Sequence, residues 1–230
     1  MAENAVLLER VKRSGMRGSL EEFRGRRVAF HGAEVIFTAA DGKDLREIVA
    51  DPSAVEQLTG SAVKRLTTLK TRFDITPFVC FEGDLRAQEN ENPTFFLRCW
   101  GNRDIFSAQR KIGQQMQKAL EGVGIYCVAS PGYASMQCGY FASRMKAPWD
   151  VSLVVGMHYD LLVWDCPLVM YAVDEDGRGL LVELSQVIKD MGLKTRDQFI
   201  VATNVYSSMP KGTDLQKVLD TIAGNGGRRR

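Results

Sequence analysis

The sequence FRGRRVAFHGA, residues 23–33, decides the fold. Three apolar residues, Val28, Ala29 and Phe30, follow a basic turn that contains glycine, and this pattern is typical of a short strand buried on both faces. An apolar pattern with helical spacing begins at residues 35–37. The segment therefore predicts a buried strand that passes directly into a helix.

The same order of short apolar strand and helix recurs along the chain. Strands are predicted at residues 78–81, 126–128 and 152–155, and helices at residues 58–71, 105–120 and 133–145. Because parallel strands are joined by helical crossovers, this order predicts an α/β fold with a mainly parallel central sheet and helices on both faces. A hairpin is predicted around residues 174–177. Residues 1–223 are expected to form a single domain, followed by a flexible basic tail at residues 224–230.

The composition is that of a globular protein. Apolar residues make up 45% of the chain and charged residues 25%, which excludes intrinsic disorder as the main state. The net charge is only +2, which disfavours a domain that works by gripping nucleic-acid phosphates unaided. The longest apolar runs fall far short of the roughly 20 residues that span a bilayer, so no contact with a membrane is expected.

The five cysteines favour a reduced, intracellular protein. Their number is odd, and no Cys-x-x-Cys pair occurs. The expected compartment is the cytoplasm, with the mitochondrion as the alternative.

Polar side chains stand where the predicted strands end. His31 and Glu82 directly follow two of the strands, and Ser135 and Asp160 lie shortly after the other two. Ligands of open α/β sheets bind outside the carboxyl ends of the strands. We therefore expect these four residues to lie together at one edge of the sheet.

Three segments resemble the flap-endonuclease/XPG family of structure-specific nucleases. They are FRGRRVAFHGA at residues 23–33, ITPFVCFEG at residues 75–83, and residues 124–167, which contain GIYCVASPGYASMQC and MHYDLLVWDCP. The resemblance implies a PIN-like fold. The sequence also resembles the degenerate XPG-type domain of fungal and kinetoplastid post-transcriptional regulators.

The resemblance also implies that the family's metal ligands have been replaced. Family members use about seven carboxylates to hold two divalent ions that carry out phosphodiester cleavage. The corresponding positions are His31, Glu82, Tyr133, Ser135, His158, Asp160 and Val205. Only Glu82 and Asp160 are acids, and the stretch between the second and third strands is short and not notably basic. This implies a catalytically inactive domain without a cofactor. It would serve as a protein-interaction scaffold whose partners are proteins of an RNA-associated complex.

Two alternatives stay open at this point. His31, Glu82, His158 and Asp160 have the donor types of a zinc or manganese site, so an active 5′ nuclease with an altered metal site is the competing hypothesis. Imidazoles that merely fill a vacated cleft explain the same residues.

A basic group near the amino end supplies candidates for weak contact with RNA phosphates: Arg10, Lys12, Arg13, Arg24, Arg26 and Arg27. A solvated helix face explains these residues equally well.

Overall fold

Strands and helices alternate along most of the chain. The computed structural model describes residues 2–83, 103–146, 150–210 and 212–225. Its strands are β1 (Met16–Ser19), β2 (Arg27–His31), β3 (Thr76–Phe81), β4 (Tyr126–Ala129), β5 (Leu153–Val155), β6 (Leu168–Tyr171) and β7 (Arg178–Glu183). Its α-helices are α1 (Ala2–Lys12), α2 (Gly32–Ala40), α3 (Leu45–Ala50), α4 (Pro52–Phe73), α5 (Arg103–Gly122), α6 (Ala134–Ser143), α7 (Asp160–Val163), α8 (Leu184–Asp190), α9 (Arg196–Ser208) and α10 (Leu215–Asn225).

The seven strands form one sheet in the order β1-β7-β6-β5-β2-β3-β4. The pairings among β2 to β6 are parallel, whereas β7 and β1 run antiparallel to their neighbours. The predicted mainly parallel α/β class is confirmed, and so is the hairpin, which joins β6 to β7. Because β2 is parallel to both of its neighbours, β3 and β5, the carboxyl ends of these three strands lie at the same edge of the sheet.

Helices cover both faces of the sheet, and each face has its own apolar core between the strands and the helices. The side chains of β2 alternate: Val28 and Phe30 join the core under α2, α4 and α5, while Ala29 joins the core under α6 to α10. This alternation follows from the two-residue period of a strand. A central strand buried on both faces explains why the segment at residues 28–30 is apolar throughout.

Local signals set several element boundaries. Ser19 accepts a hydrogen bond from the N–H of Glu21, and the Glu22 side chain accepts one from the N–H of Ser19, which caps the short 3₁₀ helix Leu20–Phe23. Asp51 caps α4, and Pro52 stands at the first position of that helix, where its missing N–H costs nothing.

Some elements differ from the prediction. Strand β1 and helix α3 were not predicted, α4 begins at Pro52 rather than at residue 58, and α10 continues to Asn225. The last of these places two residues of the predicted tail in a helix; residues 226–230 lie outside the described chain. No helix in the described ranges is long and apolar enough to cross a membrane.

Candidate active site

The structure brings together four of the residues expected at the carboxyl edge of the sheet. His31 ends β2, Glu82 follows β3, Ser135 lies in the first turn of α6, and Asp160 begins α7 after β5. We call these four residues the edge cluster. His31 and Ser135 are fully buried, and 7% of Glu82 is exposed.

Hydrogen bonds link the members of the edge cluster. The Ser135 hydroxyl donates to Asp160 Oδ2 at 2.7 Å and lies 3.2 Å from His31 Nε2. Since the only hydroxyl proton goes to Asp160, the contact with His31 is best assigned as an Nε2–H that donates to Ser135 Oγ. Glu82 Oε1 lies 3.5 Å from His31 Nε2, and Glu82 Oε2 accepts a hydrogen bond of 2.8 Å from the N–H of Ala134.

Burial moves the pKa values of the two central groups in opposite directions. Desolvation lowers the pKa of His31 to about 4, although the charge of Asp160 opposes this shift. Desolvation raises the pKa of Glu82 to about 8; the hydrogen bond from Ala134 opposes this shift, and the charge of Asp160 adds to it. At neutral pH the imidazole is therefore neutral, and the Glu82 carboxyl carries its proton.

The edge cluster also contains unsatisfied polar atoms. Within the described residues, the buried atoms His31 Nδ1, Glu82 Oε1 and Asp160 Oδ1 have no hydrogen-bond partner. Buried polar atoms are almost always paired, so each exception calls for strain, a water, an ion, a ligand or a reaction that uses the atom. Three buried polar atoms without a protein partner therefore lie together in the edge cluster.

The edge cluster does not form a ready metal site. In the part of the chain that the structure describes, no group of three His, Cys, Asp or Glu side chains is arranged to hold a metal ion. The His158 ring lies 5.9 Å from that of His31, edge to face, and the backbone carbonyl of His158 accepts a hydrogen bond from Tyr171. The four residues of the hypothetical altered metal site are thus neighbours that do not share a metal-binding geometry.

The contact between Ser135 and His31 is not a catalytic triad. In a triad the serine donates to the histidine, and an acid supports the other ring nitrogen. Here Ser135 donates to Asp160, and His31 Nδ1 has no partner among the described residues. Because Ser135 is also fully buried, it acts as a link that positions Asp160.

The remaining predicted positions lie elsewhere or have other roles. Tyr133 is the N-cap residue of α6, directly before Ala134. Val205 is half-buried in α9, where it packs against the core on that face of the sheet. No contact described for Val205 joins it to the edge cluster.

Two residues of the basic group lie at the opposite end of a strand from the edge cluster. Arg26 and Arg27 lie at the amino end of β2, the opposite end from His31. Several of the other members make contacts within the protein: Arg10 donates to the carbonyl of Asp190, Lys12 pairs with Glu9, and Arg24 pairs with Glu21. Arg13 is exposed. Binding of RNA by this group stays a prediction.

Sequence reasoning missed two features beside the edge cluster. The first is Ala134, whose N–H fixes one oxygen of Glu82. The second is a cavity next to Glu82 that is lined partly by glutamines of α5. Recurring glutamines at residues 109, 114 and 117 were the available signal, but glutamine on a helix by itself indicates nothing more than a polar face.

Solved structures with the same fold include nucleases. The catalytic core of Rad2 in complex with a DNA substrate aligns at TM-score 0.68 and 17% identity over 96% of this chain and 68% of that one. Flap endonuclease-1 from Methanococcus jannaschii aligns at TM-score 0.64 and 17% identity over 94% and 78% of the two chains. This chain has the flap-endonuclease fold. Human GEN1 bound to Holliday junction DNA aligns at TM-score 0.67 and 16% identity over 94% of this chain, which spans 55% of that protein.

Comparisons of sequence alone find no relatives. No family model matches the chain, and no curated protein matches it. The relationship to the flap-endonuclease fold therefore rests on the structure.

The prediction that the chain is not an enzyme is contradicted. Solved structures that share its fold include nucleases, among them one described as a Holliday junction-resolving enzyme. The prediction counted acids at aligned positions and treated each replacement as a loss. The structure instead places the Glu82 carboxyl beside the His31 imidazole and links Asp160 to that imidazole through Ser135, at the edge of the sheet where open α/β folds bind ligands.

Proposed function

We propose that the chain is a structure-specific nuclease whose active site is the edge cluster. The observation that carries the proposal is the position of the cluster. Three of its members have unpartnered buried atoms, and they lie at the carboxyl edge of a sheet whose fold is shared with DNA-cleaving enzymes. The substrate class is branched or single-stranded nucleic acid.

The opposite pKa shifts of Glu82 and His31 support acid–base chemistry. Hydrolysis of a phosphodiester requires a proton to leave the attacking water and a proton to reach the departing oxygen. At neutral pH Glu82 holds a proton that it can donate, and Nδ1 of the neutral His31 ring can accept one. Two titratable groups with environments that separate their pKa values are the usual sign of such an assignment.

The other contacts in the edge cluster position these two groups. The N–H of Ala134 occupies Glu82 Oε2, which leaves Oε1 as the oxygen that carries the transferable proton. Ser135 holds Asp160 by its strong hydrogen bond and contacts the imidazole from the same oxygen. The negative charge of Asp160 favours the protonated form of His31 and so assists the transfer of a proton to the ring.

A cleavage assay with matched variants tests this proposal. The full chain is incubated with a 5′ flap, a Holliday junction, and single strands of DNA and RNA, each with Mg²⁺, Mn²⁺ or a chelator. Glu82→Gln is expected to lower the rate by about 100-fold or more, since it removes the transferable proton and keeps the shape of the side chain. Glu56→Gln, an exposed change on α4, is the matched control and is expected to retain the full rate.

Two outcomes would contradict the proposal. The first is the absence of cleavage of every substrate under all three conditions. The second is cleavage that Glu82→Gln leaves unchanged, which would place the active site elsewhere.

A second proposal concerns partners. We propose that the chain also binds proteins of an RNA-associated complex, through an exposed apolar face of α6. Met136 and Tyr140 lie one helical turn apart on α6 and are 41% and 52% exposed.

Partners should co-purify after ribonuclease treatment and be lost from the double variant Met136→Glu and Tyr140→Glu. They should be retained by Val201→Glu on α9, where the side chain is 48% exposed. Loss of every partner with the RNA would contradict this proposal.

A further inference from the structure

A groove of about 310 Å³ lies between the amino end of α4 and one side of α5, and we call it the α4–α5 groove. It lies over the core that contains Val55 and Ile112, on the opposite face of the sheet from α6. None of the described residues that line it belongs to the edge cluster. The groove is therefore separate both from the proposed active site and from the proposed surface on α6.

The base of the α4–α5 groove is apolar. Val55 and Ile112 form its buried part, Val49 of α3 is half-buried beside them, and the ring of Pro52 is exposed at the rim. Val49 and Pro52 thus present apolar surface that solvent reaches. A partner that covers these two side chains removes apolar surface from water, which is the main favourable contribution to most protein association.

Two lysines line the α5 side of the groove. Lys111 and Lys118 are exposed and lie seven residues apart, which places them on the same side of the helix with their backbones about 10 Å apart. Within the described ranges, neither ammonium forms an ion pair with a carboxylate. Glu121, one turn beyond Lys118, accepts a hydrogen bond from Gln117 instead. Both lysines are thus available for carboxylates of another molecule.

The combination of an apolar base and two such lysines favours one class of partner. A nucleic-acid duplex offers phosphates at its surface and keeps its bases stacked inside, so it would use the lysines and leave the apolar base without a contact. An acidic amphipathic helix uses both, because its apolar side chains enter a groove while its carboxylates reach the cations beside it. A partner helix that lies along α5 meets Lys111 and Lys118 with acids that are seven residues apart.

We propose that the α4–α5 groove binds an acidic amphipathic helix of a partner protein. Apolar side chains of that helix cover Val49 and Pro52, and two of its carboxylates pair with Lys111 and Lys118. This interaction is independent of the proposed nuclease activity and of the partners proposed for α6, since the groove shares no lining residue with either site.

Fluorescence anisotropy with a designed peptide tests the proposal on the full chain. The probe is a labelled, alanine-based helical peptide of about 20 residues, with leucines along one side and two glutamates seven positions apart beside them. A second peptide carries glutamine in place of both glutamates. We expect the glutamate peptide to bind about 10-fold more tightly than the glutamine peptide at low salt, and the difference to shrink as salt is added, because exposed ion pairs are screened.

The double variant Lys111→Glu and Lys118→Glu reverses the charge beside the groove. We expect it to bind the glutamate peptide at least about 10-fold more weakly than the wild type does. It should instead bind a peptide with lysines in place of the glutamates, because the same pairs then form with the signs exchanged. Lys64→Glu with Lys217→Glu is the matched control, since it makes the same change of net charge at exposed positions of α4 and α10 outside the groove. This control is expected to bind the glutamate peptide as the wild type does.

Four results would each overturn the proposal. They are no binding of the glutamate peptide, equal affinity of the two double variants for it, no gain for the lysine peptide on the Lys111→Glu and Lys118→Glu protein, and a DNA duplex that needs both lysines while the glutamate peptide does not bind. The last result would assign the groove to nucleic acid. Recovery of affinity when the charges on both sides are exchanged supports the proposal, whether or not the chain cleaves nucleic acid.

Discussion

Replacement of Glu82 by glutamine should stabilise the folded protein at neutral pH, although it removes a residue of the proposed active site. Glutamine keeps the size of the side chain and an oxygen that can accept the hydrogen bond from Ala134. It lacks the carboxyl group whose charge is disfavoured by burial. The two proteins should therefore differ in the pH dependence of their stability.

The sign and size of the effect follow from the pKa of Glu82. Folding raises this pKa from 4.5 to about 8, so the folded state binds the proton more tightly than the unfolded state does. The stability contributed by the protonated carboxyl is complete below pH 4.5 and is lost as the pH rises through 8. At about 1.4 kcal/mol for each unit of pKa, the contribution of Glu82 to the free energy of unfolding falls by roughly 3 kcal/mol between pH 4.5 and pH 7.

Urea denaturation followed by circular dichroism measures this difference. Unfolding free energies of the wild type, Glu82→Gln and Glu56→Gln are compared at several values between pH 4.5 and pH 8.5. Titration of His31 is common to all three proteins and cancels in the comparison. A Glu82→Gln advantage that does not grow with pH would refute the reasoning, because it would mean that Glu82 is already ionised in the folded protein near pH 5.

Two further predictions concern the same region. Burial lowers the pKa of His31 from 6.5 to about 4, so the contribution of His31 to the free energy of unfolding should fall by about 3 kcal/mol as the pH falls from 6.5 to 4, and His31→Gln should gain stability relative to the wild type over that range in thermal unfolding; a variant whose stability changes with pH as that of the wild type does would contradict the assignment. Gly139→Ala should lower the unfolding free energy by about 3 kcal/mol or more, because an added Cβ would lie 1.8 Å from the carbonyl oxygen of Trp164. Urea denaturation checks this prediction, with Gly60→Ala in α4 as the control, because nothing lies within 4 Å of the added Cβ there. A Gly139→Ala protein as stable as the wild type would show that α6 can move away from Trp164.

The central strands could be predicted because each carries its own signal. Residues 28–30 and 78–81 are apolar throughout, as strands buried on both faces must be, and their ends place His31 and Glu82 by a general rule of parallel sheets. No such signal marks β1. Met16 and Arg17 of β1 are exposed to solvent. The position of β1 in the sheet depends on Gly18, because a larger side chain there would collide with Leu181 of β7.

The chemistry of the site was less predictable than its location. The pKa values of His31 and Glu82 follow from burial and from contacts with Asp160 and Ala134, which only the folded chain brings together. The cavity depends on how closely α5 approaches Phe81, a distance that no sequence pattern encodes. Counting acids at aligned positions captures neither property, and the prediction that rested on this count is contradicted by the nucleases that share the fold.

The pairing of Met16 with Leu181 has a consequence for the order of events during synthesis. Strand β1 precedes β2 to β6 in the chain, but the strand that it pairs with emerges only after β2 to β6 have been translated. Domains fold as their segments leave the ribosome, and pairings that close long loops form late. Strand β1 therefore stays unpaired until β7 has been synthesised, and it joins the sheet as one of the last strands.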